Sequence, residues 1–152
     1  MPDALPPDQP NAARRRWMAV LARADIDELG DRLGALPPYR VLRGPEAGLV
    51  MVRGRTGGGG APFNLGEMTT TRCTVRTDTG FVGHAYVAGR NERLAQLAAL
   101  ADALLQDPIQ QDRLLEDVIE PLAARQQARR DTVAAKAAAT RVQFFAMRNM
   151  RS

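Results

Sequence analysis

The stretch TTTRCTVRTDTGFVGHAYVA, residues 69–88, decides the fold, because polar and apolar residues alternate cleanly along its first half. Two sets of side chains point to opposite sides of a strand: Thr69, Thr71, Cys73 and Val75 on one side, and Thr70, Arg72, Thr74 and Arg76 on the other. Asp78-Thr79-Gly80 is typical of a tight hairpin turn with Gly80 in the left-handed conformation. Residues 81–88 therefore predict the return strand of an antiparallel hairpin.

Two shorter segments upstream extend this sheet. Residues 39–42 and 49–53 are typical of strands, and the turn-rich segment 44–48 separates them. The glycine-rich segment 54–62 can form neither helix nor strand. We therefore expect a small antiparallel sheet of about four strands.

Helical patterns flank the sheet on both sides. Asn11 and Asp25 are candidate N-caps of two N-terminal helices, of which the first ends near Arg23 and the second at Gly34. Asn91 and Asp107 cap two helices after the sheet. Pro121 breaks or restarts the chain, and the alanine-rich residues 122–145 predict a long final helix. The order of these elements predicts an α+β fold with N-terminal and C-terminal helices around the sheet.

Length and composition limit the classes of protein to be considered. The 152 residues suit one domain, which we place at residues 11–148 after a proline-rich tail at residues 1–10. The net charge of +4 rests almost wholly on arginine, since Lys136 is the single lysine. One cysteine and one histidine exclude an internal disulfide and a metal cage built from several such residues. No apolar run approaches the roughly 18 residues of a membrane span, and no signal core is visible, so we expect a cytoplasmic protein.

The glycine loop, Gly57, Gly58, Gly59 and Gly60, is the most unusual feature of the sequence. Four successive glycines cost conformational entropy on folding and are useful where a backbone must approach another molecule closely. No Gly-Lys-Ser/Thr follows, so the loop is not a P-loop. A passive connection, a loop that contacts another protein and a phosphate-binding loop remain open.

Arginines on the central strand and at its neighbouring turn are the main candidate binding residues. Arg72 and Arg76 lie on one polar face, and Arg90 lies where the return strand passes into a helix. This face can contact phosphate or an acidic partner, or it can carry solvated arginines with no partner. Arg90 can equally hold the turn through local carbonyl groups.

The residues with chemically reactive side chains do not combine into a catalytic set. His84 has no acid or nucleophile beside it in the sequence, and Cys73 shares the apolar face of its strand, so we expect both to be structural. Glu67 is a lone carboxylate. The final helix is basic, but no nucleic-acid-binding motif is present. Phe144 and Phe145 near the chain end are expected to dock on the sheet or on a partner.

The ordered set of motifs resembles the PhnG family, the G subunits of the bacterial carbon–phosphorus lyase core complex. The resemblance covers about residues 14–147. It rests on these segments: Trp17–Leu21, Gly57–Gly60 with Phe63 and Gly66-Glu67, Thr71-Arg72 with Val75-Arg76, Gly80 with Gly83, Gly89-Arg90, Ala99–Leu104 and Arg141–Met147. Ala146 and the ending Asn149–Ser152 depart from the family pattern.

The resemblance implies a scaffold in phosphonate breakdown. A G subunit acts with H, I and L subunits to displace adenine from ATP and to join ribose 5-triphosphate to an alkylphosphonate. It also assembles with H, I and J subunits into a symmetric hetero-oligomeric core. The resemblance implies that ATP is a substrate of the complex. It also implies that this chain binds no cofactor or metal and has no catalytic residues of its own. It implies neither nucleic acid nor a membrane as partner.

Two other classes of function remain open from the residues alone. One is an autonomous phosphate- or nucleotide-binding module that uses the glycine loop with Arg72 and Arg76. The other is a small basic nucleic-acid binder, for which salt-dependent duplex binding is the test.

Overall fold

The computed structural model describes residues 9–56 and 59–141, with side chains from Asn11 onward. Its elements, in chain order, are α1 (Gln9–Leu21), α2 (Ile26–Leu33), β1 (Tyr39–Gly54), β2 (Phe63–Thr77), β3 (Val82–Ala88), α3 (Glu92–Leu105), α4 (Pro108–Leu114), a π-helical turn (Leu115–Ile119) and α5 (Glu120–Ala139). The predicted α+β class is confirmed. Phe144, Phe145 and residues 1–8 lie outside the described residues.

The sheet is antiparallel, in the order β1-β2-β3, and has three strands rather than about four. The two strands predicted at 39–42 and 49–53 are parts of one long strand, β1, whose register shifts on both sides of Arg43. Gly44 allows this irregularity, because it has φ +76° and a Cβ there would lie 2.5 Å from the carbonyl oxygen of Arg72. The turn signals at 44–48 thus mark bulges within a strand.

The core lies between one face of the sheet and α3. On β2, Thr71, Cys73 and Val75 are buried, as the alternation predicts, and Ala85 and Val87 of β3 are buried beside them. Helix α3 is buried on all sides, because the sheet covers one side and α1, α2 and α4 pack against the other. The described residues therefore form three layers: sheet, central helix and outer helices.

Most of the predicted helix boundaries are confirmed by capping contacts. The Asp25 carboxylate accepts hydrogen bonds from the backbone amides of Asp27 and Glu28, Asn91 accepts one from Leu94, and Asp107 accepts one from Ile109. The first helix differs, because it begins at Gln9 and contains Asn11, which is therefore not its N-cap. The turn 78–80 is confirmed, with Gly80 at φ +96°.

Pro121 does not break the helical path, contrary to one reading of the sequence. It stands at the start of α5, directly after the π-helical turn, in which the amide of Glu120 donates to the carbonyl of Leu115. A proline has no amide hydrogen for the carbonyl four residues earlier, that of Asp117. The Arg32 guanidinium donates to that carbonyl at 3.2 Å and so replaces the missing bond.

Within the described residues, no helix is long and apolar enough to cross a membrane.

Candidate interaction surfaces

The far half of the β1–β2 hairpin projects from the body as a two-stranded arm. Strand β3 pairs with β2 only from Thr70 to Arg76, and the amide of Gly89 donates to the carbonyl of Thr69 at 2.8 Å. Apart from this bond, residues 49–54 and 63–69 pair in the sheet only with each other among the described residues. We call these two segments the arm. Its six residue pairs span about 20 Å at the usual rise of a strand. An isolated two-stranded ribbon is marginally stable in water, so this element lacks the support that the rest of the sheet has.

Apolar side chains are exposed on both faces of the arm. Leu49 and Met51, whose side chains are 65% and 51% exposed, lie on the face that continues the covered side of the sheet. Val50 and Met68 face each other on the opposite side, at 36% and 43% exposure. Phe63 and Leu65 lie nearer the tip and are also exposed. Exposed apolar side chains concentrated on one element are typical of a protein contact site.

Two residues of the glycine loop, Gly59 and Gly60, lie at the tip of this arm. Gly57 and Gly58 lie outside the described residues, and Gly59 and Gly60 are exposed in neither helix nor strand, as predicted. Gly59 and Gly60 have no Cβ atoms, so another molecule can approach their backbone closely at this end of the arm. Gly59 and Gly60 lie at the same end of the arm as the exposed Phe63 and Leu65, and the role of the glycine loop in binding stays a prediction.

The other face of the sheet, opposite α3, is polar and mostly exposed. We call it the open face and define it by the side chains that point outward from the three paired strands: Arg40, Arg43, Glu46, Arg72, Thr74, Arg76, His84 and Tyr86. Four arginines and one glutamate give it a net charge of three positive units. Tyr86, on the edge strand β3, is 56% exposed.

Arg72 and Arg76, predicted to share this face, do share it but have different surroundings. The Arg72 guanidinium donates to Glu46 at 2.6 Å, and Arg43 donates to the same carboxylate oxygen at 2.9 Å. These hydrogen bonds, first from Arg43 and then from Arg72, lower the pKa of Glu46 below its ordinary value. Arg76 is exposed and lies directly opposite Arg40 on β1. Arg72 is therefore part of an ion-pair cluster rather than a freely solvated cation.

Arg90 lies in the turn between β3 and α3 and is exposed. The turn itself is held by Thr71, whose buried hydroxyl donates to the carbonyl of Gly89 at 2.6 Å and accepts from the amide of Asn91 at 3.1 Å. Gly89 has φ +78°, which favours glycine. Thr71 fixes this junction, so the turn does not depend on Arg90.

His84 and Cys73 lie in surroundings that suit structural roles. His84 is exposed on the open face, and its Nδ1 lies 3.1 Å from the hydroxyl of Thr74. Cys73 is a free, buried cysteine, and burial raises the pKa of its thiol. Glu67 is exposed on the arm. Within residues 9–56 and 59–141, no group of three or more His, Cys, Asp or Glu residues could hold a metal ion.

Asp102 is the most strongly bound polar group that the sequence analysis did not single out. Its side chain is fully buried and accepts two hydrogen bonds from Arg14, at 2.8 and 3.1 Å, and one from the indole nitrogen of Trp17 at 2.8 Å. It also accepts from the backbone amide of His84, at 2.9 Å. The carboxylate of Asp102 thereby joins α1, α3 and β3. The signal in the sequence is an acidic residue in the middle of the apolar run of α3.

The fold and these surfaces describe a small α+β protein with a cationic sheet face and an apolar arm, both open to contact with another molecule. The family model described as "Phosphonate metabolism protein PhnG" matches residues 12–149. A protein of Rhizobium meliloti (strain 1021) is 48% identical over 139 residues, which are 90% of this chain and 88% of the relative. That relative is named alpha-D-ribose 1-methylphosphonate 5-triphosphate synthase subunit PhnG. The chain belongs to the PhnG family of phosphonate metabolism proteins.

Proposed function

We propose that this chain is a non-catalytic subunit of a complex that transfers ribose 5-triphosphate from ATP to an alkylphosphonate, with release of adenine. The observation that carries the proposal is the arm, whose apolar side chains are exposed on both faces. Such a ribbon gains stability when another protein covers it. The name of the relative, a synthase subunit, gives the reaction class.

The proposal includes the partners that the family resemblance implies. The chain assembles with H, I and J subunits into a symmetric hetero-oligomer and acts with H, I and L subunits in the synthase step, in the cytoplasm. ATP is a substrate of the complex, and this chain supplies neither a cofactor nor a metal. The glycine loop, Gly57–Gly60, which follows β1 in the sequence and precedes β2, contacts a partner subunit or the ligand bound to it.

The surroundings of the reactive side chains support a non-catalytic role. Attack at C1 of a ribose needs a positioned nucleophile or general base with a suitable pKa. The imidazole of His84 contacts a threonine hydroxyl, and the Cys73 thiol is buried with a raised pKa. Neither group has a charged partner that would activate it among the described residues.

The test is a reconstitution of the synthase with and without this chain. Adenine and the ribosyl triphosphate product are measured by chromatography for the full mixture of this chain with the H, I and L subunits. The same measurement is made for the mixture lacking this chain and for this chain alone, with ATP and methylphosphonate in each case. We expect product only in the full mixture, because the catalytic subunit needs this chain to hold its shape.

Two results would overturn the proposal. Adenine release by this chain alone would make it catalytic, and full activity without it would remove the requirement. A His84→Gln variant provides the control on the histidine, and we expect it to support the full mixture normally. A loss of rate with intact assembly in that variant would place His84 in the reaction.

A phosphate-binding module is the main alternative, and it fits Arg72 poorly, since Glu46 already engages that guanidinium. An equilibrium titration of the isolated chain with ATP separates the two functions. Saturable binding by the isolated chain would favour the module, whereas a subunit with no nucleotide site of its own gives none.

A further inference from the structure

Two arginines of the open face lie opposite each other without an acid between them. Arg40 of β1 and Arg76 of β2 are direct partners in the register, and both are exposed. Among the described residues, the ion pairs include neither of them. Like charges directly opposite each other on neighbouring strands destabilise a sheet. The isolated fold therefore carries a cost at this position.

The same face shows how such a charge is balanced within one chain. Four residues from Arg76 on β2, Arg72 pairs with Glu46, whose carboxylate accepts hydrogen bonds from both Arg43 and Arg72. No carboxylate of the described residues fills the equivalent position beside Arg40 and Arg76. At one end of the open face, the charges of Arg43 and Arg72 are thus balanced by Glu46 of the same chain. At the other end, Arg40 and Arg76 are available to an acidic group of another molecule.

The chemistry of the whole face favours a protein as the source of that acid. Tyr86 stands exposed on the edge strand β3 of this face, directly opposite Arg72. Along the same side of β1 and β2, the face continues into Val50 and Met68 of the arm. Arginine, tyrosine and methionine next to apolar residues are enriched in protein interfaces. A phosphate or a nucleic-acid backbone would leave this apolar continuation uncovered, whereas a protein can cover it.

We propose that the open face docks an acidic protein surface of a partner subunit, with carboxylates opposite Arg40 and Arg76 and an apolar patch opposite Val50 and Met68. This inference rests on the proposed function for the existence of the partner. It adds which surface of this chain is used, which chemistry the partner presents and why the fold keeps an unfavourable arginine pair.

The experiment measures two properties of each variant, the stability of the isolated chain and its association with the other subunits. The chain is immobilised, and the H, I and L subunits, purified together without it, are passed over at several salt concentrations. The test variants are Arg40→Glu, Arg40→Gln with Arg76→Gln, and Arg40→Glu with Arg76→Glu. The matched control is Arg23→Glu with Arg113→Glu, which reverses two exposed arginines away from the sheet.

We expect the single variant Arg40→Glu to melt at a higher temperature than the wild type, because it places a carboxylate opposite Arg76. It should nevertheless associate more slowly with the other subunits. The double reversal should lower the affinity about tenfold or more, with the double glutamine variant between it and the wild type. Raising the salt concentration should slow association of the wild type and reduce the difference between variants.

A merely structural role of Arg40 cannot give higher stability together with weaker association. Normal association of the double reversal variant, or an equal loss in the Arg23 and Arg113 control, would overturn the inference. So would ATP or inorganic phosphate binding to the isolated chain that disappears in the double reversal, because the face would then be a phosphate site. The reconstitution of activity with the wild-type chain is independent of these results, so the proposed function can stand if this inference fails.

Discussion

Gly83 shows how tightly α3 lies against the sheet. A Cβ at this position would collide with the carbonyl oxygen of Ala99 and the amide nitrogen of Ala103, so the helix would have to move away from β3. We expect Gly83→Ala to lower the free energy of unfolding by about 3 kcal/mol, as overpacking of a core against backbone does. Urea denaturation measures the change.

Gly66→Ala is the matched control for this substitution, because nothing lies within 4 Å of a Cβ at Gly66. It should change the free energy of unfolding by no more than about 0.5 kcal/mol. Equal effects of the two substitutions would mean that α3 can shift without cost, and that the close approach at Gly83 does not define the packing.

Asp102 is the polar counterpart of this close packing. Asp102→Asn puts an amide group where the carboxylate accepts hydrogen bonds from Arg14, Trp17 and the backbone of His84. The amide NH2 group then faces N–H donors that the carboxylate oxygens had accepted from, and Arg14 loses its counter-charge. We expect a loss of about 3 kcal/mol in the free energy of unfolding, because breaking a buried ion pair leaves uncompensated polar groups.

The comparison for Asp102 is Glu120→Gln, which removes the charge from an exposed pair with Arg16 at 2.7 Å. Water replaces that interaction readily, so thermal unfolding should hardly change. If the two variants had the same melting temperature, the buried carboxylate of Asp102 would contribute no more to stability than an exposed one, and the prediction would be wrong.

The sequence predicts the burial or exposure of a side chain correctly where the pattern of a single strand or turn determines it. The alternation along residues 69–76 was enough to predict that Cys73 is buried and that Arg72 faces outward. It could not predict the partners of Asp102, because Arg14 and Trp17 are more than 80 positions away in the chain. It could not predict that Glu46 binds Arg72 either, since that contact depends on the register of two strands.

At the scale of elements, local signals were correct but their consequences depended on the tertiary structure. The Gly44-Pro45 pair was interpreted as a turn between two strands. It forms an irregularity within β1, because Arg43 and Glu46 on either side both pair across to β2. Pro121 predicts a break or a restart of the helix. The helical path continues through it, and Arg32 binds the carbonyl that the proline leaves without a donor.

The arm is the element whose properties least suit an isolated protein, and its apolar residues provide the next prediction. We expect Leu49→Ser with Met51→Ser to leave the unfolding of the body almost unchanged, because both side chains are already largely exposed. The same variant should weaken association with the other subunits by about tenfold or more, because it removes apolar area from the contact. Calorimetry and the immobilised-chain assay measure the two quantities.

Ile109→Ser is the control for the arm, since Ile109 is 91% exposed on α4 and lies outside the arm. It removes a similar apolar group and should not affect association. If the arm variant associates normally, or if its body unfolds at a much lower temperature, the arm serves the stability of this chain rather than assembly.

The whole molecule combines a tightly packed body with two weakly supported projections. Helix α3 contacts the sheet and the outer helices, so most buried residues belong to one cluster around it. Among the described residues the arm has no third strand. Residues 127–139 of α5 are exposed, and they follow Gln126, whose side chain donates a hydrogen bond to the carbonyl of Val20. Packing, rather than local propensity, stabilises most helices, so these segments have less stability than the body.

This division predicts a hydrogen-exchange pattern that changes on assembly. In the isolated chain, amides of the arm and of residues 127–139 should exchange orders of magnitude faster than those of α3 and of residues 71–75 on β2, because they open without unfolding the body. On mixing with the H, I and L subunits, the amides of the arm should become protected, since a partner then covers both of its faces. Amides of α3 should change little and provide the internal control. Arm amides as slow as the core in the isolated chain would mean that the ribbon is stable alone, and arm amides that stay fast in an active assembly would show that the subunits meet elsewhere.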